Sequence, residues 1–463
     1  VGLVLVAVGF LVGARALSDN SFLTHLATGR LILASGTVPD ADPYSWTAPG
    51  QPWVVQSWLA SVLYASLERL TGLEAVRALN GALTAGVVAA LWVLTAPVRA
   101  LPERVLLVAA PVAIGTGLWT PRPLLFGLAG VAVVLVVVQG RLPARWLLPV
   151  FVAWGATHGS FPAGLAVIAA FAAGAYLDER RLPRRELGAL AWAGVGSLAV
   201  LVGPLGPSGL WFPVALLARH EVLGDVGEWR PPSFDSPQEL VWLALVLGFV
   251  VVAARRGAPW RAIVPAALAI VLGLLAVRNL AVSSLVLVAV VAPLIRGGVR
   301  PGGVHPDERG VVAAGVGLVG VIMMGVALTL VATTPPTELS RFPVAEVDHL
   351  AERGVLGDPG IRVITTDRTG NYLHYRFGPS APVFIDDRVD MYPPDLVADY
   401  VVLLRGGDQQ AVLDRWQPHV VLWPADGPLR HWLDGRAEWD LVLTGEDHVV
   451  YCLAGHPVRA RCD

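Results

Sequence analysis

An aspartate stands just past the first apolar stretch of this chain: Asp19, followed by Asn20, Ser21, Phe22, Leu23, Thr24 and His25. A carboxylate where a membrane helix meets water is costly unless something uses it. It could take the proton from an acceptor hydroxyl, or hold a divalent cation (Mg or Mn) that bridges a phosphate. A third use is structural, because Asp19 also stands where the N-cap of a helix over 20–35 would fall. His25, six residues on, comes near Asp19 only if that helix begins between them. It reads either as a catalytic or phosphate-contacting group or as an interfacial histidine. Asp40 and Asp42 form Asp-Ala-Asp before Pro43. That spacing can chelate a metal in an extended loop, and turn chemistry explains it equally well.

Further along, His158 lies in Trp154-Gly155-Ala156-Thr157-His158-Gly159-Ser160, a tight turn between two apolar stretches. At that depth an imidazole either lines a cavity shared with Asp19 or closes a helix end. Arg122, between two prolines, and Arg278, in Val277-Arg278-Asn279, fall on the side of the chain that is otherwise poor in arginine. Arginine favours bidentate phosphate or carboxylate partners, so both are candidates to grip a lipid-linked phosphate. Glu228 and Trp229, in Glu-Trp-Arg-Pro-Pro, suggest an ordered edge over a cavity, with the indole as a sugar-stacking surface or an interfacial tryptophan. Asp386-Asp387-Arg388 follows a strand end, where α/β folds usually place ligands, and reads best as a salt-bridged structural contact with the membrane part.

These residues need a membrane scaffold. The chain has 463 residues, 55% hydrophobic and only 15% charged, against about 25% charged in soluble proteins. Stretches long enough, or nearly so, to cross a roughly 30 Å hydrocarbon core fall near 1–16, 76–96, 104–118, 122–139, 144–158, 161–177, 188–204, 237–254, 260–277, 280–296 and 310–333. The fold class is thus a polytopic α-helical membrane protein with about 11 transmembrane helices and a C-terminal extracytoplasmic α/β domain. The transmembrane domain is expected over 1–335 and the soluble domain over 340–463. Arginines cluster in alternate loops, at 99 and 104, 141 and 145, 180–185, 255–261 and 296–309, which marks that side as cytoplasmic. The first external loop, 17–75, then holds two helices lying in the interface, near 21–35 and 57–72. A loop at 205–236 also falls outside.

In the soluble part, strands are expected at 363–366, 382–385, 419–423, 439–443 and 449–453, with helices at 344–354, 394–404, 408–416 and 428–434. Cys452 and Cys462, the two cysteines, allow a disulfide if that end lies outside the cytoplasm. Net charge is −2 and no basic run occurs, so nothing marks a nucleic-acid partner. No Walker phosphate loop, Cys/His metal framework or serine-hydrolase elbow is present.

The run Asp19-Asn20, His25-Leu26-Ala27-Thr28-Gly29-Arg30, Gly36, Pro39 and Asp42-Pro43-Tyr44-Ser45 heads a long external loop. With Trp154 to Gly159, Glu228-Trp229, Arg278-Asn279 and Phe384-Ile385-Asp386-Asp387-Arg388, it resembles a bacterial polytopic branch of the C-type glycosyltransferase superfamily. Oligosaccharyltransferases and protein mannosyltransferases belong to that superfamily. The resemblance implies a multi-pass protein of the bacterial plasma membrane. It implies a polyprenyl-phosphate sugar donor and a glycan, lipid or protein acceptor in the cell envelope. It gives Asp19 the role of general base or metal ligand. Many relatives carry a paired acidic motif where this chain has Asn20 and Ser21, which points away from the metal-dependent version. Two other classes fit the architecture: a non-catalytic membrane scaffold and a lipid or polysaccharide transporter.

Overall fold

The computed structural model describes residues 1–219, 227–295 and 306–463. Each of the eleven apolar stretches holds a helix. In chain order these are α1 (Gly2–Gly13), α4 (Leu73–Leu94), α5 (Leu101–Gly115), α6 (Leu124–Val138), α7 (Leu147–Thr157), α8 (Phe161–Glu179) and α9 (Arg184–Leu198). They continue with α11 (Pro237–Arg256), α12 (Trp260–Leu275), α13 (Leu280–Leu294) and α14 (Pro306–Thr333). Six helical segments among the described residues are long and apolar enough to cross a membrane. The loop expected over 205–236 contains a further apolar helix, α10 (Pro207–Ala218); His220 and Glu221 fall outside the described residues. The helices α2 (Asn20–Ser35) and α3 (Trp58–Thr71) fill the two amphipathic stretches of the first loop.

Two compact units emerge. One comprises Val1–Leu17, Leu67–Val214 and Val226–Pro336; the other comprises Ser18–Ser66 and Thr337–Asp463 with the described part of Ala215–Asp225. The boundary therefore differs from a simple division near 335–340, because most of the first loop packs with the C-terminal residues.

In the first unit the helices meet through small residues and backbone-directed polar groups. Thr84 Oγ1 donates to Gly9 O at 2.7 Å, and a Cβ at Gly13 would stand 2.2 Å from Thr84 Oγ1, so α1 and α4 touch nearly backbone to backbone. Arg77, buried on α4, donates to Ala14 O and to carbonyls at the end of α14. α6 and α13 form the centre of the unit, buried along nearly their whole length. Large apolar side chains on α11, α12 and α14, including Leu247, Val250, Val271, Leu274, Val321 and Ile322, are exposed. Outward-facing apolar surface of this extent suits lipid contact.

Direct bonds gather the loops at two ends. Arg185 donates to Val137 O and Val138 O, Arg261 pairs with Glu179 and Glu186, Asp178 accepts from Trp260 N, and Arg256 donates to Leu294 O. These bonds join the ends of α6, α8, α9, α11, α12 and α13 at the arginine-rich side. The other ends of the same helices carry the turns at 116–123, 157–160, 227–230 and 276–279.

The second unit is built on a four-stranded sheet of β1 (Val363–Thr365), β2 (Val420–Pro424), β3 (Trp439–Thr444) and β4 (His448–Leu453), in the order β1-β2-β4-β3. β1 runs parallel to β2, while β4 is antiparallel to both its neighbours. Val420 to Trp423 are buried, as expected of a central strand covered on both faces. The helices are α15 (Val344–Glu352), α16 (Asp367–Phe377), α17 (Pro394–Arg405), α18 (Gln409–Trp416), α19 (Pro428–Leu433) and α20 (Val458–Cys462). A disulfide joins Cys452 on β4 to Cys462 on α20. The stretch 382–385 is not a sheet strand. Val383 pairs instead with the first loop, donating to Tyr44 O and accepting from Trp46 N, in a single parallel bridge with Ser45. α16 lies in a stretch the apolar pattern left unassigned, and its start is capped by Thr366, whose hydroxyl accepts from Thr369 N.

Candidate functional site

Asp19 is the second residue of the C-terminal unit's first segment, buried to 9% exposure at the N-cap position of α2. Its backbone is extended, as a cap requires, but its side chain makes no capping hydrogen bond. α2 is held in place by close packing and by polar contacts. A Cβ at Gly29 would lie 1.9 Å from Ser61 O, so only glycine lets α2 approach α3 there. His25 Nδ1 lies 3.2 Å from Ser61 Oγ, which ties His25 to α3. Thr24 Oγ1 donates to Asn371 Oδ1 at 2.7 Å, and Arg30 donates to Tyr375 O.

Two residues beyond Asp19, the Ser21 hydroxyl donates to Asp387 Oδ2. Burial pushes the Asp387 carboxyl up to about 7, the Asp386 charge adds to this, and Asp367 and Asp19 contribute further; the Ser21 hydrogen bond works the other way. Asp19 therefore belongs to an acidic neighbourhood in which a proton is retained near neutral pH. The Asp386-Asp387-Arg388 run was legible as a salt-bridged contact, but the role of its middle residue beside Ser21 carried no sequence signal.

Its outer residues form a buried ion pair. Arg388 Nη2 lies 2.6 Å from Asp386 Oδ2 and 2.7 Å from Asp42 Oδ1, and its Nε donates to Asp386 Oδ1 at 2.8 Å. The guanidinium is framed by Trp53 and Tyr44, with ring centroids 4.4 and 4.9 Å away. Burial alone would raise the Asp386 carboxyl; the charges of Arg388 and His374 and the hydrogen bonds from Arg388 bring it down to about 2. Burial drops the His374 imidazole to about 3, so at neutral pH its 3.6 Å approach to Asp386 is a neutral contact. His374 stacks on Tyr44 at 4.3 Å.

Asp42 is consumed in this arrangement. Besides Arg388 it accepts from Tyr44 N and from Ser45 N and Oγ, the turn chemistry that Asp-Pro also suggests. A divalent cation needs several oxygen ligands. Among the described residues no group of three or more His, Cys, Asp or Glu is placed to hold one. Asp42 is thus engaged by protein groups, and the chemistry below uses no metal.

In the helical unit, His158 and Arg278 line one cavity of about 90 Å³, with Ser160, Asn279, Trp154 and the apolar Leu124, Leu128, Val131 and Leu272. His158 ends α7, and Ser160 N donates to its Nδ1 at 3.2 Å. Because Nδ1 accepts, Nε2 carries the proton of the neutral ring and is a donor. Trp154 Nε1 in turn donates to Ser160 Oγ at 3.1 Å. Arg278 lies 4.4 Å over the Trp229 ring. Arg122 pairs with Glu228 at 2.6 Å and donates to Thr120 Oγ1. Val277 N donates to Arg230 O, which fixes the 227–230 turn against the segment carrying Arg278. Glu228 is thus engaged by Arg122, and no described carboxylate lies within ion-pair distance of Arg278. Arg122 and Arg278 against Glu228 leave one positive charge in excess.

The structure therefore brings His158, Arg278, Arg122, Glu228 and Trp229 together at one end of the helical unit, and places Asp19, His25 and Asp42 in the other unit. One face of Trp229 is occupied by Arg278.

No protein-family model matches the chain, and no curated protein does. Among solved structures it is similar to the archaeal oligosaccharyltransferase AglB from Archaeoglobus fulgidus, in complex with an inhibitory peptide and a dolichol-phosphate. The two chains are 10% identical with a TM-score of 0.50, and the match covers 92% of this chain and 69% of that one. This likeness is one of fold. It is shared with an oligosaccharyltransferase, one of the kinds of enzyme that the first-loop residues resemble.

Proposed function

We propose that this chain is a membrane glycosyltransferase that moves a sugar from a polyprenyl-phosphate donor to an acceptor outside the cytoplasm. The observation that carries the reading is Arg278. A guanidinium among apolar helix ends, with no carboxylate of its own, is costly unless an anion completes it. A phosphate supplies that anion and matches the guanidinium's paired donors. His158 adds a second donor, through Nε2, to the same cavity. The fold shared with an enzyme that was captured with a dolichol-phosphate agrees with a lipid-linked donor.

In the reaction, the acceptor oxygen attacks the anomeric carbon and gives up its proton to a general base, the role that the first-loop resemblance gives to Asp19. The bond from that carbon to the phosphate oxygen breaks, and the phosphate leaves as an anion held by Arg278 and His158. Asp19 is suited to this because its carboxylate is not spent on capping α2. The arginine-rich end of the helical unit faces the cytoplasm, and the C-terminal unit, with its disulfide, faces an oxidising exterior.

A transporter needs a polar path through the helices. Between the Arg278 cavity and the arginine-rich end, α6 presents Val134, Leu135 and Val136, all buried in the apolar core, which favours transfer over transport. The test is transfer of sugar from a polyprenyl-phosphate donor by protein in nanodiscs. Transfer supports the proposal; no transfer from any such donor, with the protein folded, favours a scaffold.

A further inference from the structure

At the arginine-rich end of the helical unit lies a second cavity, of about 460 Å³, which the reaction does not use. It opens between the end of α6 and the start of α9. Its walls are Val137 and Val138, the loop from Gly140 to Ala144, and Arg185, Glu186 and Ala189. Gly140 has a positive φ of 74°, and a Cβ there would stand 2.7 Å from Arg185 Nη2, so glycine both makes the turn and admits the guanidinium.

We propose that this cavity binds the phosphodiester headgroup of an anionic phospholipid. Arg185 spends Nη2 on Val137 O and Val138 O, at 2.8 and 2.7 Å. Those bonds answer the negative end of α6 and leave Nε and Nη1 as donors. Arg141 is exposed, and among the described residues its side chain has no hydrogen bond or ion pair. The carboxylate that lines the cavity, Glu186, is buried and turned to Arg261 at 3.3 Å, a cation it shares with Glu179. Arg185 and Glu186 stand in the first turn of α9, whose positive end also favours an anion. The remaining walls are apolar, and Leu142 and Trp146 are exposed beside them. Two cationic donors over an apolar wall, at the start of α9 with its exposed Leu187, Trp192 and Val195, match a headgroup joined to acyl chains. A soluble phosphate would use the arginines and leave the apolar wall uncovered.

The experiment titrates delipidated full-length protein in neutral detergent with phosphatidylglycerol, phosphatidylcholine or inorganic phosphate, reading bound lipid by native mass spectrometry and melting temperature in parallel. Arg141→Gln is the variant, since Arg141 supports no other part of the fold. Arg145→Gln, on the same loop but outside the cavity, is the control. The expected result is one saturable phosphatidylglycerol, not displaced by phosphatidylcholine, whose affinity falls at least about tenfold in Arg141→Gln, about 1.4 kcal/mol, and is unchanged in Arg145→Gln. Equal loss in both variants would mean unspecific surface charge and would overturn the proposal. So would an unchanged Arg141→Gln, or an Arg141-dependent rise in melting temperature with inorganic phosphate but not with the lipid. Sugar transfer is not the readout, so failure here leaves the glycosyltransferase reading standing.

Discussion

Replacing Arg388 by Met removes the one cation shared by Asp386 and Asp42 while keeping much of the volume between Trp53 and Tyr44. The magnitude follows from the carboxylates left behind. Asp386, at about 2 rather than 3.8, is held in its charged form, and that gap is worth about 2 kcal/mol. Without Arg388, burial raises the same carboxyl, so the loss exceeds this figure and falls in the range of about 3–5 kcal/mol for a broken buried pair. In the wild type, the contribution of Asp386 is present above the ordinary carboxylate range and is lost as pH falls through about 2. In the variant, the unpaired carboxylates cost more as pH rises above about 4, so the deficit is larger at pH 7 than at pH 4. The assay is hydrogen exchange of full-length protein in detergent, followed in peptides covering β1, β2 and the first loop around Tyr44. Adding Asp386→Asn to Arg388→Met should recover part of the loss. A deficit below about 1 kcal/mol, or one equal at both pH values, would refute the reasoning.

Three further outcomes are expected. Asp387→Asn should raise the melting temperature relative to wild type more at pH 8 than at pH 5. A carboxyl raised to about 7 weakens the fold progressively from its unfolded pKa up to about 7, and the amide cannot ionise; an equal change at both pH values would count against it. Arg278→Ala should raise the apparent KM for a polyprenyl-phosphate donor more than it lowers kcat, because it deletes a phosphate contact, and an unchanged KM would remove Arg278 from the donor site. A single cysteine introduced at Leu182, in a variant with Cys452 and Cys462 replaced by serine, should resist labelling by impermeant reagents outside intact cells. Efficient labelling would reverse the orientation.

Much of the helical unit was legible because long apolar runs and alternating arginine loops are local signals. The same holds for β1, β2, β3 and β4, whose apolar runs stand out from a charged background. What sequence could not show is the pairing of distant segments. Tyr44, Trp53 and Val55 share an apolar core with Phe384, Tyr392 and Tyr451, more than 300 residues away, and no local pattern announces it. The same cause misread 382–385, whose apolar run covers a bridge to the first loop and not a sheet strand. α16 was missed because its buried residues include Asn371, Thr369 and His374, which an apolar count ignores. At the site, Arg278 stood out by charge against its surroundings, whereas the pairing of Arg122 with Glu228 could only be seen in three dimensions.

The central claim is that Asp19 takes the acceptor's proton. The most direct measurement is the rate of sugar transfer by Asp19→Asn and wild type, from a polyprenyl-phosphate donor in nanodiscs, with melting temperature as the control for folding. Asparagine keeps the shape and is itself a good N-cap, so a structural aspartate would tolerate it. The account predicts a rate lower by about 10²–10⁴-fold with melting temperature and donor binding little changed. Transfer by Asp19→Asn at the wild-type rate would contradict it.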